Sequence, residues 1–257
     1  MCAAVTENQR LKGKTASGCQ IRLVRSSKAG DLANQTNFVN TSSQSKNWGK
    51  NLSPFIAGPV DLYDGTQFFT PKAVCDLKDA ISDSIHIPFK NAIPGHVSQC
   101  IENAWQYCKV YGEMTDENGE PTAEYWEWAQ EGWANPKAKR FPLGKGCKPS
   151  YSLWAGKHLG YMDARLTIYC TLYAKAMEGN PWFEKLKQLT LSNSELILSD
   201  PDAPDFSEDS SKTLKEVLFD TSKPLSHSVV LAMLLCEVPV WEEFLASSDA
   251  SSGSKTS

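Results

Sequence analysis

Glu102, Gln106 and Lys109 are spaced four and three residues apart, the spacing that stacks side chains on one face of a helix. The run Glu102-Asn103-Ala104-Trp105-Gln106-Tyr107-Cys108-Lys109 therefore offers a carboxylate, an amide and an ammonium on one stripe, beside the Trp105 indole. On a fully wet helix face such a charge pair contributes only about 0.3 kcal/mol. Here the neighbouring stripe of Val97, Ile101, Ala104, Cys108 and Tyr111 is apolar, so the acid borders a seam that should face the core. A half-buried carboxylate at such a border is a candidate for acid–base or charge-stabilising chemistry.

A second group of candidates follows downstream. Lys137, Lys139, Arg140, Lys145 and Lys148 crowd one short segment, interleaved with Gly144 and Gly146. Glycines let backbone N–H groups approach an anion and the cations neutralise it, which suits a phosphate or pyrophosphate. Gly144-Lys145-Gly146 lacks the hydroxyl residue and glycine spacing of a Walker A loop. A solvated surface loop explains the same charges equally well. The third group is aromatic: Trp105, Trp126, Trp128, Trp133, Tyr151, Trp154 and Tyr161. Most large rings belong to a core, but a ring face can also stack on a nucleobase. Trp154 and Tyr161 are favoured for that because they follow the basic loop.

Other chemistries fit less well. Cys147 and His158 do not make a thiol-protease pair on spacing alone. His86, His96, His158 and His227 show no ligand spacing with one another or with cysteines, so no metal is expected. Asp76, Asp79 and Asp83 read as the wet face of a helix rather than a cation site.

The elements that must position these groups are mainly helical. Hydrophobic spacing and cap residues predict helices over 71–84, 96–111, 121–133 and 161–178. Further helices follow Asn180-Pro181, surround Val229 to Leu235, and form a short segment over 241–245. Thr213-x-x-Glu216 reads as a capping box. Gln20 to Arg25 can form a strand, and alternation before Asp64-Gly65 suggests a hairpin within 58–69. The expectation is an α+β fold, mostly helical, as a single compact domain with a small β-hairpin or sheet. It would span 31–246, after a flexible tail over 1–30 and before a disordered tail over 247–257. An acidic, Pro/Ser-rich loop over 199–211 reads as mobile.

The 257 residues are 41% apolar, enough for a packed core, and carry a net charge of −4, which argues against bulk nucleic-acid affinity. The first residues show no signal-peptide core and no apolar run is long enough for a membrane span. The eight cysteines, Cys2, Cys19, Cys75, Cys100, Cys108, Cys147, Cys170 and Cys236, form no C-x-x-C pair. They read as reduced thiols of a cytoplasmic or nuclear protein, which leaves the sequons at Asn34, Asn40 and Asn51 as chance matches.

The order of four motifs resembles the NADAR (YbiA-like) N-glycosidases. Glu102-x-Ala104-Trp105-Gln106-x-x-Lys109 is similar to that family's E-H-A-Y-Q-x-x-K helix. Asn37-Phe38 and Ser53-Pro54-Phe55 resemble its S-N-F and P-F segments, split here by an insertion. Asn135-Pro136-x-Ala138-Lys139 with Gly144-Lys145 resembles P-x-x-A-K-x-x-G-R. Ala174-Lys175 with Asn180-Pro181 resembles A-K-F-x-x-N-P. The likeness spans roughly 37–190. It departs at Asn103, where the family has histidine, in the offset of Tyr161 and Trp154 from the family's tryptophan, and in lacking its late Trp-Gly segment.

The resemblance implies a YbiA-like domain that hydrolyses the N-glycosidic bond of a ribosylated or ADP-ribosylated base or nucleotide, without a cofactor. Glu102 would be the catalytic carboxylate and Gln106 would fix a hydroxyl or the water. Lys109, Lys139, Arg140 and Lys145 would hold phosphate, Trp105, Trp154 or Tyr161 would stack on the base or close the sugar pocket, and Asn37 would join the substrate-binding set. A nucleic acid would enter as carrier of the modified base. The alternative is a non-catalytic module that binds a phosphorylated nucleotide or a protein partner through the same cleft. A single-stranded nucleic-acid binder is a third reading, opposed by the overall acidity.

Overall fold

The structure is a computed structural model that describes residues 4–35, 37–41, 60–61, 97–98, 101–135, 137–154 and 156–252. The helix expected over 71–84, its three aspartates and the Asp64-Gly65 turn lie outside the described residues. Among the described residues the fold is α+β and helix predominates over strand, as the periodicity predicts. The chain divides into two compact units, Met1–Ser53 with Pro181–Ser257, and Pro54–Asn180.

The first unit is built on a three-stranded parallel sheet in which Glu195–Asp200 lies between Gln20–Arg25 and Phe38–Asn40. Register pairs Ile21 with Leu196 and both Leu23 and Val39 with Leu198. Parallel strands covered on both faces need nearly continuous apolar runs, and Leu196, Ile197 and Leu198 are all fully buried. The helix His227–Leu235, apolar on every side, packs against this sheet as its composition requires. The Thr213–Glu216 capping box is present at the start of Leu214–Phe219.

Three expectations are corrected in this unit. The segment 1–30, read as a flexible tail, holds a helix, Glu7–Leu11, ahead of the strand Gln20–Arg25, which forms as expected. Its local polarity concealed a second capping box, Thr6 with Gln9, and the burial of Cys19, Ile21 and Leu23. The acidic segment 199–211 begins as sheet and is pinned by buried Ala203 and Phe206; Phe206 exchanges backbone hydrogen bonds with Leu23. Two apolar anchors thus outweigh the charged composition. The terminal helix runs Val240–Ser252, past the expected end at 246; serines and Ala250 continue it once its first turns are packed.

The second unit carries the Glu102 helix, Ile101–Tyr107, and an antiparallel sheet ordered Lys109–Val110, Tyr151–Trp154, Lys157–Leu159. The helix is shorter than the 96–111 span expected. Ser150 and Leu153 donate their amides to the carbonyls of Val110 and Cys108, so β pairing captures the chain immediately after the helix. The helix Ala123–Ala134 lies against it, with the Tyr125 hydroxyl donating to the Tyr107 carbonyl at 3.0 Å. Gly132 makes the close approach possible, since a Cβ there would stand 2.0 Å from the Tyr107 ring. The long helix starts at Tyr161–Ala164, widens to a π-helix over Arg165–Cys170, and continues as Thr171–Met177.

Candidate functional site

The predicted stripe forms a connected relay within the second unit. Gln106 Nε2 donates to Glu102 Oε1 at 2.8 Å, and Lys109 Nζ donates to Gln106 Oε1 at 2.8 Å. Lys109 lies past the end of the helix, at the first position of its strand, yet its long stem still reaches back to Gln106. Its ammonium also sits 4.5 Å from the centre of the Trp105 ring, a cation–π contact. Glu102 is half-buried at the edge of the apolar seam, as expected, whereas Gln106 is only 5% exposed. Both functional ends of the Gln106 amide are engaged inside the relay. Its geometry is that of a positioning residue between an acid and a cation.

Burial pushes the Lys109 ammonium below the ordinary lysine range. Glu102 works against this shift and the positive charge of Arg140 adds to it. That mutual influence makes Arg140 an electrostatic neighbour of the relay. Cys108, next in sequence, is pushed up to about 12 by burial and stays a neutral thiol; its Sγ–H is directed at the Trp105 carbonyl, 3.2 Å away.

Asn103 brings the basic loop to this helix. Its side chain is fully buried and makes three hydrogen bonds to the loop. Nδ2 donates to the carbonyls of Asn135 at 2.9 Å and Lys137 at 3.1 Å, while Oδ1 accepts from the Lys139 amide at 2.9 Å. The same clamp positions Arg140, one residue beyond Lys139. Lys139 and Arg140 are exposed, as is Lys145, which stands between Gly144 and Gly146, both at positive φ (100° and 96°). Those two turns require glycine and shape a loop rich in accessible donors.

The aromatic candidates divide. Trp105 and Tyr161 pack together with ring centres 6.3 Å apart and planes tilted by 51°, and Tyr169 meets Trp105 edge-on at 5.4 Å. Tyr161 is 45% exposed, so it offers ring surface to solvent beside the relay. A buried guanidinium orients it: Arg165, 1% exposed, donates from Nη2 to the Tyr161 hydroxyl at 2.9 Å. Trp105 itself is only 8% exposed, so it packs rather than offering an accessible stacking face, and the same holds for Trp154, 7% exposed on the central strand of the sheet. Alternation along that short strand turns its ring inward. Asn37 belongs to the other unit, where its Nδ2 donates to the Glu195 carbonyl at 2.9 Å and supports the parallel sheet.

Asn103 and Arg165 are two residues around the relay to which sequence reasoning gave no site role. Arg165 stands four residues after Tyr161, a helical spacing that could have paired them. Asn103 offered no such signal, because its three partners lie more than thirty positions away. A further buried polar group occurs in the first unit, where Ser226 Oγ donates to Asp200 Oδ1 at 2.8 Å and His227 Nδ1 lies 3.3 Å from Asp200 Oδ2. Ser226 caps the helix His227–Leu235, its Oγ accepting from the Ser228 amide at 3.2 Å.

Among the described residues no group of three or more His, Cys, Asp or Glu could hold a metal ion, and no helix is long and apolar enough to cross a membrane. Cys19, Cys108, Cys147, Cys170 and Cys236 are free thiols, and all but Cys147 are buried. Chemically, the arrangement links a half-buried carboxylate to an ammonium through Gln106, packs an exposed ring on Trp105, and ties a cationic loop to the same helix through Asn103. Comparisons with protein-family models, with curated proteins and with solved structures find no match to this chain.

Proposed function

We propose that the Glu102 cluster hydrolyses the N-glycosidic bond of a ribosylated or ADP-ribosylated base, as a divergent NADAR-like (YbiA-like) enzyme. The observation that carries this reading is the Glu102–Gln106–Lys109 chain of 2.8 Å bonds beside the Asn103-anchored cationic loop. In such a hydrolysis the C1–N bond breaks and its electron pair leaves with the base nitrogen. The sugar C1 becomes oxocarbenium-like and is captured by water, whose surplus proton passes to a base. A carboxylate fixed near C1 stabilises that cation and can orient or deprotonate the water. Glu102 fits this role because Gln106 restrains one of its oxygens and leaves the other available.

Lys109, Lys139, Arg140 and Lys145 supply charge for the ligand's phosphate. Tyr161, held by Arg165, supplies a face for the base or the sugar edge. Trp105 contributes through the Lys109 cation–π contact and by backing Tyr161. The ligand would therefore be a phosphorylated nucleoside or an ADP-ribosyl group on a base, free or carried on a nucleic acid. No resident cofactor is invoked.

The competing reading is a binding module without turnover. The internal engagement of Gln106 favours it, since a residue used to tether the acid is less available to a reacting water. Incubation of the full chain with ADP-ribosylated and ribosylated bases, following free base and free sugar, separates the two. Stoichiometric release of both products supports the hydrolase. Saturable binding with no product over hours contradicts it and supports the module.

A further inference from the structure

Two residues other than glycine have positive φ among the described residues, Glu237 at 56° and Phe141 at 52°. Glu237 has an ordinary cause. It follows the C-cap Cys236 of the helix His227–Leu235, and its amide donates to the Leu234 carbonyl at 3.2 Å, a left-handed helix ending. Phe141 has no helix to end. It sits in the middle of the basic loop, where its carbonyl accepts from Gly144 at 2.8 Å. A bulky side chain in the left-handed region is a strained choice that glycine or asparagine would avoid. Such outliers concentrate where a side chain must be aimed for binding or catalysis.

The ring gains no core in return, for Phe141 is 40% exposed. Its neighbour Arg140 lies over it, with the guanidinium carbon 5.2 Å from the ring centre. Two residues earlier, the Lys139 amide is tied to Asn103 on the Glu102 helix. The loop therefore carries an exposed aromatic ring with a guanidinium over it, on a short tether to the relay. In the P-x-x-A-K-x-x-G-R pattern that this loop resembles, Lys and Gly are separated by two residues. Here Arg140-Phe141-Pro142-Leu143 are four, so the strained ring lies in a stretch longer than the pattern.

We infer that Phe141 is a base-stacking, specificity-determining residue, and that Arg140 and Phe141 together read a planar nucleobase joined to a phosphorylated sugar. This rests on the nucleotide-directed reading above and extends it. Stacking on an aromatic face is tolerant of base identity and sensitive to the presence of a base. The Arg140 guanidinium, already over the ring, completes a sandwich or meets the adjoining phosphate. Discrimination between a nucleotide and a bare sugar phosphate then comes from this loop, and Glu102 is left to the bond itself.

The test is calorimetric binding of three probes to the full chain: ADP-ribose, ribose 5-phosphate and a short single-stranded oligonucleotide. Each is titrated into wild type, Phe141→Leu and Phe141→Gly. Leucine keeps the bulk and the strain but removes the aromatic face. Glycine suits the left-handed backbone, so its melting temperature should equal or exceed that of wild type. Both variants should lose ADP-ribose affinity by about 5- to 150-fold, the range for one stacked base, with ribose 5-phosphate changed less than twofold. The same loss seen with the oligonucleotide, and not with ADP-ribose, assigns the base to a strand and retains the stacking role. Equal losses for ADP-ribose and ribose 5-phosphate would mean that Phe141 only shapes the loop and would overturn the inference. Unchanged affinity for every probe that wild type binds overturns it too and leaves the hydrolase reading intact. Failure of all three probes to bind wild type overturns both.

Discussion

Replacing Asn103 should detach the cationic loop from the Glu102 helix. Its amide makes three bonds at 2.9, 3.1 and 2.9 Å from a fully buried position. A neutral hydrogen bond contributes about 0.5–1.5 kcal/mol net. The loop residues are exposed, so water can take over part of what Asn103→Ala gives up. We expect a loss of about 2 kcal/mol, toward the lower end of the three-bond sum. Because the chain has two compact units, its denaturation need not be two-state, and a local readout is better. Hydrogen exchange provides one, since the Lys139 amide is protected by Asn103 Oδ1 while the segment around it is exposed. In Asn103→Ala that amide should exchange at least tenfold faster, with amides of the parallel sheet unchanged. Asn103→Asp should be worse, as it sets a buried carboxylate against two carbonyl oxygens. Asn103→His retains one donor and one acceptor and should keep part of the protection. Lys139 exchange within twofold of wild type in Asn103→Ala would refute the clamp.

Three further outcomes are expected. Gly132→Ala drives a methyl group into the Tyr107 ring and should destabilise the second unit by at least 1–3 kcal/mol, read by thermal melting; an unchanged melting temperature would mean that the two helices separate freely. In protein carrying 13C-methylated lysines, the Lys109 signal should titrate below the ordinary lysine value. Arg140→Ala should raise that midpoint and Glu102→Gln lower it further, because Arg140 repels the charge and Glu102 attracts it; a Lys109 titration that follows the surface lysines would contradict its burial. A lysine with a depressed folded value destabilises the fold while charged. Its contribution to stability therefore grows as pH rises from that value toward the unfolded 10.5, and a Lys109→Met chain, measured from pH 8 to 10.5, should lack this rise.

The helical skeleton was legible because its signals are local. Thr213 and Glu216 carry a capping box in four residues, Val229 to Leu235 are apolar all round, and Gly179 with Asn180-Pro181 separates two helices. The relay was legible for the same reason, since Glu102, Gln106 and Lys109 stand at helical spacing even though β pairing takes Lys109 out of the helix. What escaped depended on distant partners. Phe206 and Ala203 anchor an acidic loop against residues far away in sequence, and Thr6 with Gln9 starts a helix in a segment whose polarity suggested a tail. Trp154 was placed near the ligand by its position after the basic loop, but a strand alternates, and this ring falls on the buried side. The Asn103 clamp and the strained Phe141 are invisible to spacing rules altogether, since one is a tertiary contact and the other a backbone angle.

The central claim is that the Glu102 carboxylate acts on a bound nucleotide, and the most direct measurement compares Glu102→Gln with wild type on one ADP-ribosylated base. Glutamine preserves shape and can still meet Gln106, so the account predicts ligand affinity within a fewfold of wild type and base release slowed by about 100-fold or more, the scale on which a positioned acid–base group contributes. Base release by Glu102→Gln at the wild-type rate would contradict it.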